Sequence, residues 1–163
     1  ASNFNTNLEL VTAVSAEDER WLGCHLKTTS LYANTRLRNV ARVKGGKEAI
    51  LRRDGYVTEG ASSSVFVVSK EGMVYTTPLS CNILPSITRE VILELATLMK
   101  IPIIEEKISF SRLKIAGEIW LANTSSGLRC VSLLDKDTIG NGFDYPIAKR
   151  MQARLNHEKG VNS

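Results

Sequence analysis

Histidine and cysteine are scarce in this sequence of 163 residues, which holds two His and three Cys. With only His25 and His157 present, a histidine-based zinc site and a histidine-activated serine or cysteine nucleophile are both disfavoured. Cys24, Cys81 and Cys130 form no Cys-x-x-Cys pair and each lies beside apolar residues, a pattern that predicts buried or half-buried thiols. We therefore expect no metal site.

Long apolar runs are also absent, because no stretch approaches the roughly 18–20 residues that cross a bilayer. Residues 1–5 have neither the basic nor the apolar region of a secretory leader. We expect a soluble, cytoplasmic protein with no membrane partner. The net charge of +4 would suit nucleic acid, but the Lys and Arg residues are scattered and lack interleaved aromatics, so we expect no nucleic-acid partner.

The periodicity of the apolar residues predicts short strands mixed with four helices in one domain. Their order has no strict strand–helix–strand rhythm, which indicates an α+β (mixed α/β) fold. Residues 1–7 are predicted as a linker and residues 15–20 as an acidic surface turn. The predicted strands cover residues 8–14, 47–52, 56–58, 64–68, 73–76, 103–105, 118–122 and 128–133, and the predicted helices cover residues 31–43, 88–100, 110–115 and 145–157.

Two stretches carry candidate chemistry. Glu59 is a lone carboxylate between apolar strands and precedes a run of serines at residues 62–64. The second stretch is a proline-containing turn that leads into the helix beginning at Thr88, whose first N–H groups and dipole suit an anion. A carboxylate and an anion seat together suit a ligand with a cationic ring nitrogen and a phosphate, such as pyridoxal phosphate (PLP).

Lys27 lies between the apolar run of residues 21–26 and a hydroxyl-rich helix start. Partial burial there would favour the neutral amine, which is the form that makes a Schiff base. Each of these signals also has an ordinary alternative. Taken alone, Lys27 is more typical of a surface lysine at a strand end and Glu59 of a turn residue, while Thr88 is equally typical of a helix cap.

The order of these motifs resembles the class IV aminotransferases, a group of PLP enzymes. A lysine opens a helix, Glu59-Gly60 precedes small hydroxyl residues and a Val-Phe strand, and Leu-Pro-x-Ile-Thr-Arg follows at residues 84–89. The resemblance implies the C-terminal large domain of the D-amino-acid-aminotransferase-like fold over residues 8–163. Residues 1–7 would then be a linker remnant, the N-terminal domain would be absent, and the family's homodimer would be expected.

By that resemblance, Lys27 forms the Schiff base with PLP and moves the proton between the substrate and the cofactor. Glu59 pairs with the pyridine nitrogen, and Tyr32 bonds the cofactor's phenolic oxygen. The remaining cofactor contacts implied are the phosphate or carboxylate donors Ser62, Ser63, Ile87, Thr88, Thr124 and Ser125, with Leu84 packed on a ring face.

The sequence departs from the family pattern at Ser64, Ser86 and Cys130, where Asn, Gly and Pro are usual. The absent domain would also supply a phosphate-binding arginine and much of the substrate pocket. The expected function is PLP-dependent transfer of an amino group between an amino acid and a 2-oxo acid, of branched-chain type because of Tyr32. D-amino-acid aminotransferase, aminodeoxychorismate lyase and a non-catalytic remnant or binding module stay open as alternatives.

Overall fold

The computed structural model describes residues 8–158 as one mixed sheet of nine strands with helices on both faces. The strands are β1 (Glu9–Glu17), β2 (Glu48–Arg53), β3 (Tyr56–Gly60), β4 (Ser64–Val68), β5 (Val74–Thr76), β6 (Ile103–Glu105), β7 (Glu118–Asn123), β8 (Gly127–Leu134) and β9 (Asp137–Thr138). The helices are α1 (Tyr32–Val43), α2 (Ile87–Leu98), α3 (Phe110–Lys114) and α4 (Pro146–Glu158). The predicted α+β (mixed α/β) class is confirmed.

The strands pair in the order β3-β2-β1-β8-β7-β4-β5-β6, and β9 pairs with β8. Strand β1 is parallel to both of its neighbours, β2 and β8, and β5 is parallel to β6. The remaining pairs are antiparallel, including the two hairpins β2–β3 and β4–β5 that tight turns in the sequence predict. Glu9 of β1 pairs with Arg129 of β8, 120 residues along the chain, and Ala13 pairs with Glu48 of β2, 35 residues along, so no local pattern predicts the parallel pairing of β1.

The centre of the sheet is buried on both faces, which is why β4 is a continuous apolar run after Ser64. On one face Phe66 and Trp120 pack with the apolar sides of α2 and α4. On the other face Val65 and Leu121 pack under α3. A third cluster joins α1 to the β1–β2 edge through Leu37. Packing on both faces of the sheet holds the strand ends in place, and with them the turns that follow.

Three sequence expectations are wrong in detail. Strand β1 runs on to Glu17, and Asp18 and Arg20 are buried, so residues 15–20 are not an acidic surface turn. Residues 21–26 form turns and no strand. Cys24 and Cys130 are buried as expected, whereas Cys81 is exposed. The charged side chains after β1 turn inward because they pair with one another, which sequence polarity alone does not reveal.

The linker predicted at residues 1–7 lies outside the described residues. Within residues 8–158, none of the helices combines the length and the apolar character that crossing a membrane requires. The same residues contain no group of three or more His, Cys, Asp or Glu side chains arranged to hold a metal ion.

Candidate active site

The carboxylate of Glu59 lies at the end of β3 and is 6% exposed. It accepts a hydrogen bond from the guanidinium of Arg20 and is contacted by the backbone N–H of Leu84, with Leu84 N at 3.2 Å from Oε2 and 3.3 Å from Oε1. A carboxylate has about four lone-pair positions. Two donors therefore leave Glu59 able to accept from a third, such as a ring N–H.

Burial raises the pKa of the Glu59 carboxyl, and the charge and hydrogen bond of Arg20 oppose part of that rise. The pKa of Arg20 is raised in turn: burial would lower it, but the Asp18 and Glu59 carboxylates outweigh the burial. Arg20 therefore stays charged and favours the ionised form of Glu59. An ionised carboxylate is the state that holds a cationic ring nitrogen.

Asp18 completes this buried ionic cluster. Arg20 donates to it through Nε and Nη2, each at 2.8 Å, in a bidentate pair. The hydroxyl of Thr58 donates to Asp18 Oδ2 at 2.7 Å. Arg20 Nη2 also donates to the carbonyl oxygen of Asn82 at 3.0 Å. The cluster thus connects the end of β1, strand β3 and the loop before α2, and it fixes the position of Glu59.

The start of α2 carries the free donors on which the predicted anion seat depends. Ser86 caps the helix by accepting from Arg89 N at 3.3 Å. Within the described residues, no acceptor engages the N–H groups of Ile87 and Thr88, as is normal for the first turn of a helix. The hydroxyl oxygen of Thr88 lies 3.4 Å from that of Thr124. The hydroxyl of the β7–β8 turn and that of the α2 N-terminus therefore lie side by side.

The serine turn, residues 61–63, is the third segment at this place. Asn123 in the β7–β8 turn donates to the carbonyl of Ser62 at 3.1 Å. Asn34 of α1 donates to the carbonyl of Ala61 at 2.9 Å. The side chain of Ser62 is exposed and that of Ser63 is buried. The predicted donors Ser62, Thr88 and Thr124 are thus brought into one region, while Ser125 lies next to Thr124, exposed.

Lys27 lies in the loop before α1 and is exposed, so the partial burial expected for it is absent. The loop is not a strand, and its apolar residues point outward: Trp21 is 58% exposed and Leu26 is 54% exposed. Tyr32 at the start of α1 is 81% exposed. Lys27 and Tyr32 are therefore both exposed near the loop–α1 junction.

The residues that depart from the family pattern have different surroundings. Ser86 adopts an ordinary extended φ of −106° and caps α2, so glycine is not required there. Ser64 is buried, and within residues 8–158 its hydroxyl has no hydrogen-bond partner. Cys130 is buried in β8, where burial raises the pKa of its thiol. Leu84 is half-buried beside Glu59, and the side chain of Ile87 is 77% exposed at the start of α2.

Sequence reasoning missed the side chains that hold this site from behind. Their local sequence gives little signal, because polar and charged side chains are mostly exposed. The one available clue is the density of charge beside an apolar strand. The missed residues are Asp18, Arg20, Asn34, Glu48, Asn123 and Arg129.

The residues present fit PLP. A buried carboxylate with spare acceptor capacity suits the pyridine N–H, and the free donors of α2 with the Thr88 and Thr124 hydroxyls suit the phosphate. Leu84 links the two parts of the site along the chain. Its N–H contacts the Glu59 carboxylate, and Thr88 follows it by four residues.

Comparison with known proteins gives a consistent result. The family model described as "Amino-transferase class IV" matches residues 2–134. The chain is 37% identical over 145 residues to the D-alanine aminotransferase of Bacillus licheniformis, covering 89% of this chain and 51% of the relative. It is 37% identical over 142 residues to the D-alanine aminotransferase of Staphylococcus aureus, covering 87% of this chain and 50% of that one. The chain thus spans about half the length of these relatives.

Solved structures agree with the fold. The branched-chain amino acid aminotransferase of Escherichia coli superposes with a TM-score of 0.82 at 27% identity, over 96% of this chain and 54% of that one. The PLP form of the branched-chain enzyme from Thermobaculum terrenum gives 0.84 at 23% identity, over 93% and 52%, which shows the fold alone. Class IV aminotransferases are PLP enzymes, and this chain belongs to the class IV aminotransferase family.

Proposed function

We propose that this chain is the PLP-binding part of an enzyme that transfers an amino group between an amino acid and a 2-oxo acid. The observation that carries the proposal is Glu59, a buried carboxylate supported by Arg20, next to an anion seat formed by α2 and the β7–β8 turn. When bound, PLP supplies an electron sink for the substrate's α-carbon. Residues 8–163 would form this PLP-binding domain.

In this proposal Glu59 accepts from the pyridine N–H and keeps that nitrogen protonated. Arg20 favours the ionised form of Glu59 against the effect of burial, and the N–H of Leu84 contacts its carboxylate. Lys27 carries the cofactor and then moves the proton to and from the substrate's α-carbon as a general base and acid. Lys27 is exposed in the loop before α1, so its amine is accessible to a ligand.

The other site residues serve to bind and orient. Thr88 and Thr124 hold the phosphate with their hydroxyls, and the N–H groups of Ile87 and Thr88 add the positive end of α2. Leu84 covers one ring face, and Tyr32 bonds the phenolic oxygen. The remaining proposed contacts are the backbone of Ser62 and Ser63 in the serine turn, together with Ser125.

The substrate class has two candidates. The 37% identity to D-alanine aminotransferases over 89% of this chain favours a small D-amino acid with its 2-oxo acid. The exposed Tyr32 beside Lys27, together with the 27% identity to the E. coli enzyme, favours the branched-chain amino acids that the sequence placed first. The aminodeoxychorismate lyase alternative has only fold-level support, at 22% identity.

The half-reaction tests this function directly. The chain loaded with PLP is mixed with D-alanine, L-alanine, L-leucine or D-leucine, and the 2-oxo acid is quantified by chromatography, with Lys27→Ala as the control. We expect about one equivalent of 2-oxo acid per bound cofactor from one of these substrates and none from Lys27→Ala. Cofactor binding without any 2-oxo acid would instead identify a binding module.

A further inference from the structure

The serine turn is held from behind by a buried carboxylate. Glu48 begins β2 and is 1% exposed. Its Oε2 accepts from the hydroxyl of Ser62 at 2.7 Å and from the hydroxyl of Ser63 at 3.1 Å. Its Oε1 accepts from the backbone N–H of Ala49 at 3.1 Å. Both serine hydroxyls therefore point their protons into the protein.

This direction matters because each hydroxyl has a single proton to donate. Once Ser62 and Ser63 donate to Glu48, only lone pairs remain on the two oxygens. A phosphate oxygen facing those lone pairs finds no donor and is repelled. In this arrangement the two hydroxyls are not phosphate ligands.

The backbone of the turn offers donors in their place. The carbonyls of Ala61 and Ser62 are taken by the side-chain amides of Asn34 and Asn123. Within residues 8–158, no acceptor engages the N–H groups of Ser62 and Ser63. The turn therefore has unpaired backbone N–H groups, like those of the first turn of α2. Its carbonyls are already hydrogen-bonded.

Arg129 offsets the charge of Glu48. It lies in β8, is 8% exposed, and places Nη2 3.8 Å from Glu48 Oε2. A buried carboxylate behind the turn would otherwise repel an anion in front of it. The nearby guanidinium makes the net charge of the Glu48–Arg129 pair close to zero, which reduces this repulsion.

We propose that Glu48 and Arg129 are positioning residues of the anion seat, through which the serine turn offers its backbone N–H groups, and not its hydroxyl protons, to a phosphate. The inference rests on the proposed function, in that the anion is the cofactor's phosphate. In this proposal Glu48 determines whether the serine turn offers its backbone N–H groups or its hydroxyl protons.

The variant Glu48→Gln tests this choice sharply. Since Ala49 N–H donates to Oε1, the glutamine oxygen is favoured at that position, and the NH₂ group then faces the two serines. An NH₂ group donates and cannot accept. The hydroxyl protons of Ser62 and Ser63 are then released toward the anion seat, where they become additional phosphate donors.

The experiment is a titration of the ¹⁵N-labelled chain with inorganic phosphate, followed by amide NMR. In the wild type we expect the Ser62 and Ser63 N–H signals to shift together with those of Ile87 and Thr88. Ser62→Ala and Ser63→Ala should each leave the phosphate dissociation constant within about twofold. Glu48→Gln should tighten it roughly tenfold, as expected for new hydrogen bonds to a charged group, and this gain should vanish when both serines are also Ala.

Matched controls are Ser132→Ala, whose hydroxyl donates to Val11 O, and Glu71→Gln, an exposed charge in a turn. Neither should change the phosphate constant by more than about twofold. A loss of more than about fivefold in either serine variant, no shift of the Ser62 and Ser63 amides, or unchanged or weaker binding in folded Glu48→Gln would overturn the inference. If Glu48→Gln does not fold, the two serine variants decide the matter.

The same titration separates this inference from the proposed function. Amide shifts with inorganic phosphate, in a chain that never labels Lys27 with PLP, would support the anion seat and contradict the enzyme assignment. Labelling of Lys27 without amide shifts at Ser62 and Ser63 would support the enzyme assignment and contradict the role of Glu48.

Discussion

The guanidinium of Arg20 donates a hydrogen bond to the carboxylate of Glu59, across 39 residues of chain and with both side chains buried. Because Arg20 also holds Asp18 in a bidentate pair, one cation supports two buried carboxylates. The site's key carboxylate therefore depends on a residue that does not face the ligand.

Removing Arg20 should destabilise the fold strongly. Arg20→Met leaves Glu59 buried without its cation and leaves Asp18 with only the longer contact to Arg53, whose Nη2 lies 3.4 Å from Oδ1. We expect a loss of about 3–5 kcal/mol in the free energy of unfolding, measured by urea denaturation. The control is Arg36→Met, whose ion pair with Glu19 is about half exposed and should contribute no more than about 1 kcal/mol. Similar losses in the two variants would show that the buried cluster is not a special source of stability.

Asp18 should make the stability depend on pH. Burial acts to raise the pKa of Asp18, but the hydrogen bond and charge of Arg20 outweigh it, so the pKa lies below the ordinary value of 3.8. A depressed pKa stabilises the fold above pH 3.8, and that contribution is lost as the pH falls through the lower folded value. Asp18→Asn should therefore be less stable than wild type at pH 7, and the difference should shrink below about pH 4.

Urea denaturation of both proteins between pH 3 and pH 7 measures this difference. Asp144→Asn is the control, since its carboxylate pairs with Lys149 at the surface. A stability difference for Asp18→Asn that stays constant across the range would contradict a depressed pKa.

Glu118 should stabilise the fold without affecting the site. Its Oε1 accepts from Ile147 N at 2.9 Å, and its Oε2 accepts from Ala148 N at 2.9 Å and from Trp120 Nε1 at 2.7 Å. Glu118→Ala leaves two N–H groups at the start of α4 and the indole N–H of Trp120 in β7 without this acceptor, and we expect a loss of about 2–4 kcal/mol.

Calorimetry measures the loss of stability, and phosphate titration of the folded variant measures any effect on the anion seat. We expect the phosphate constant of Glu118→Ala to stay within about twofold of wild type. A large change in phosphate binding would mean that α4 and the anion seat are coupled.

The apolar residues around Lys27 should drive self-association. Trp21, Leu22, Leu26, Leu31 and Tyr32 are each more than half exposed, which is unusual for a cluster in a single loop and helix start. We expect the chain to associate at micromolar concentration in light scattering, and Leu22→Asp to shift it toward the monomer. Leu98→Asp, at a site 68% exposed on α2, is the control and should leave association unchanged.

Much of the fold could be predicted from the sequence because its strands and helices have strong local signals. The apolar run of β4 and the stripe of α2 fix those elements without any tertiary information. Glu59 and Thr88 stood out for similar reasons, since one is a charge between apolar strands and the other begins a helix after proline.

The supporting residues could not be found in this way. Arg20 follows β1 and reaches Glu59 on β3 across 39 residues of chain, with β2 between the two strands in the sheet. Glu48 reaches Ser62 across the β2–β3 hairpin, and polarity alone does not indicate that either side chain is buried. Lys27 shows the reverse case, since an apolar run predicted burial while the structure leaves it exposed. Local hydrophobicity does not say which side of a loop faces the core.

The most direct measurement of the central claim is covalent labelling at Lys27. The chain is titrated with PLP, reduced with borohydride and mapped by peptide mass spectrometry, with Lys27→Ala and the exposed Lys44→Ala as paired variants. We predict a visible absorption band and a label confined to Lys27, lost in Lys27→Ala and kept in Lys44→Ala. Equal labelling of several surface lysines, or no label at Lys27, would contradict a cofactor site in this chain.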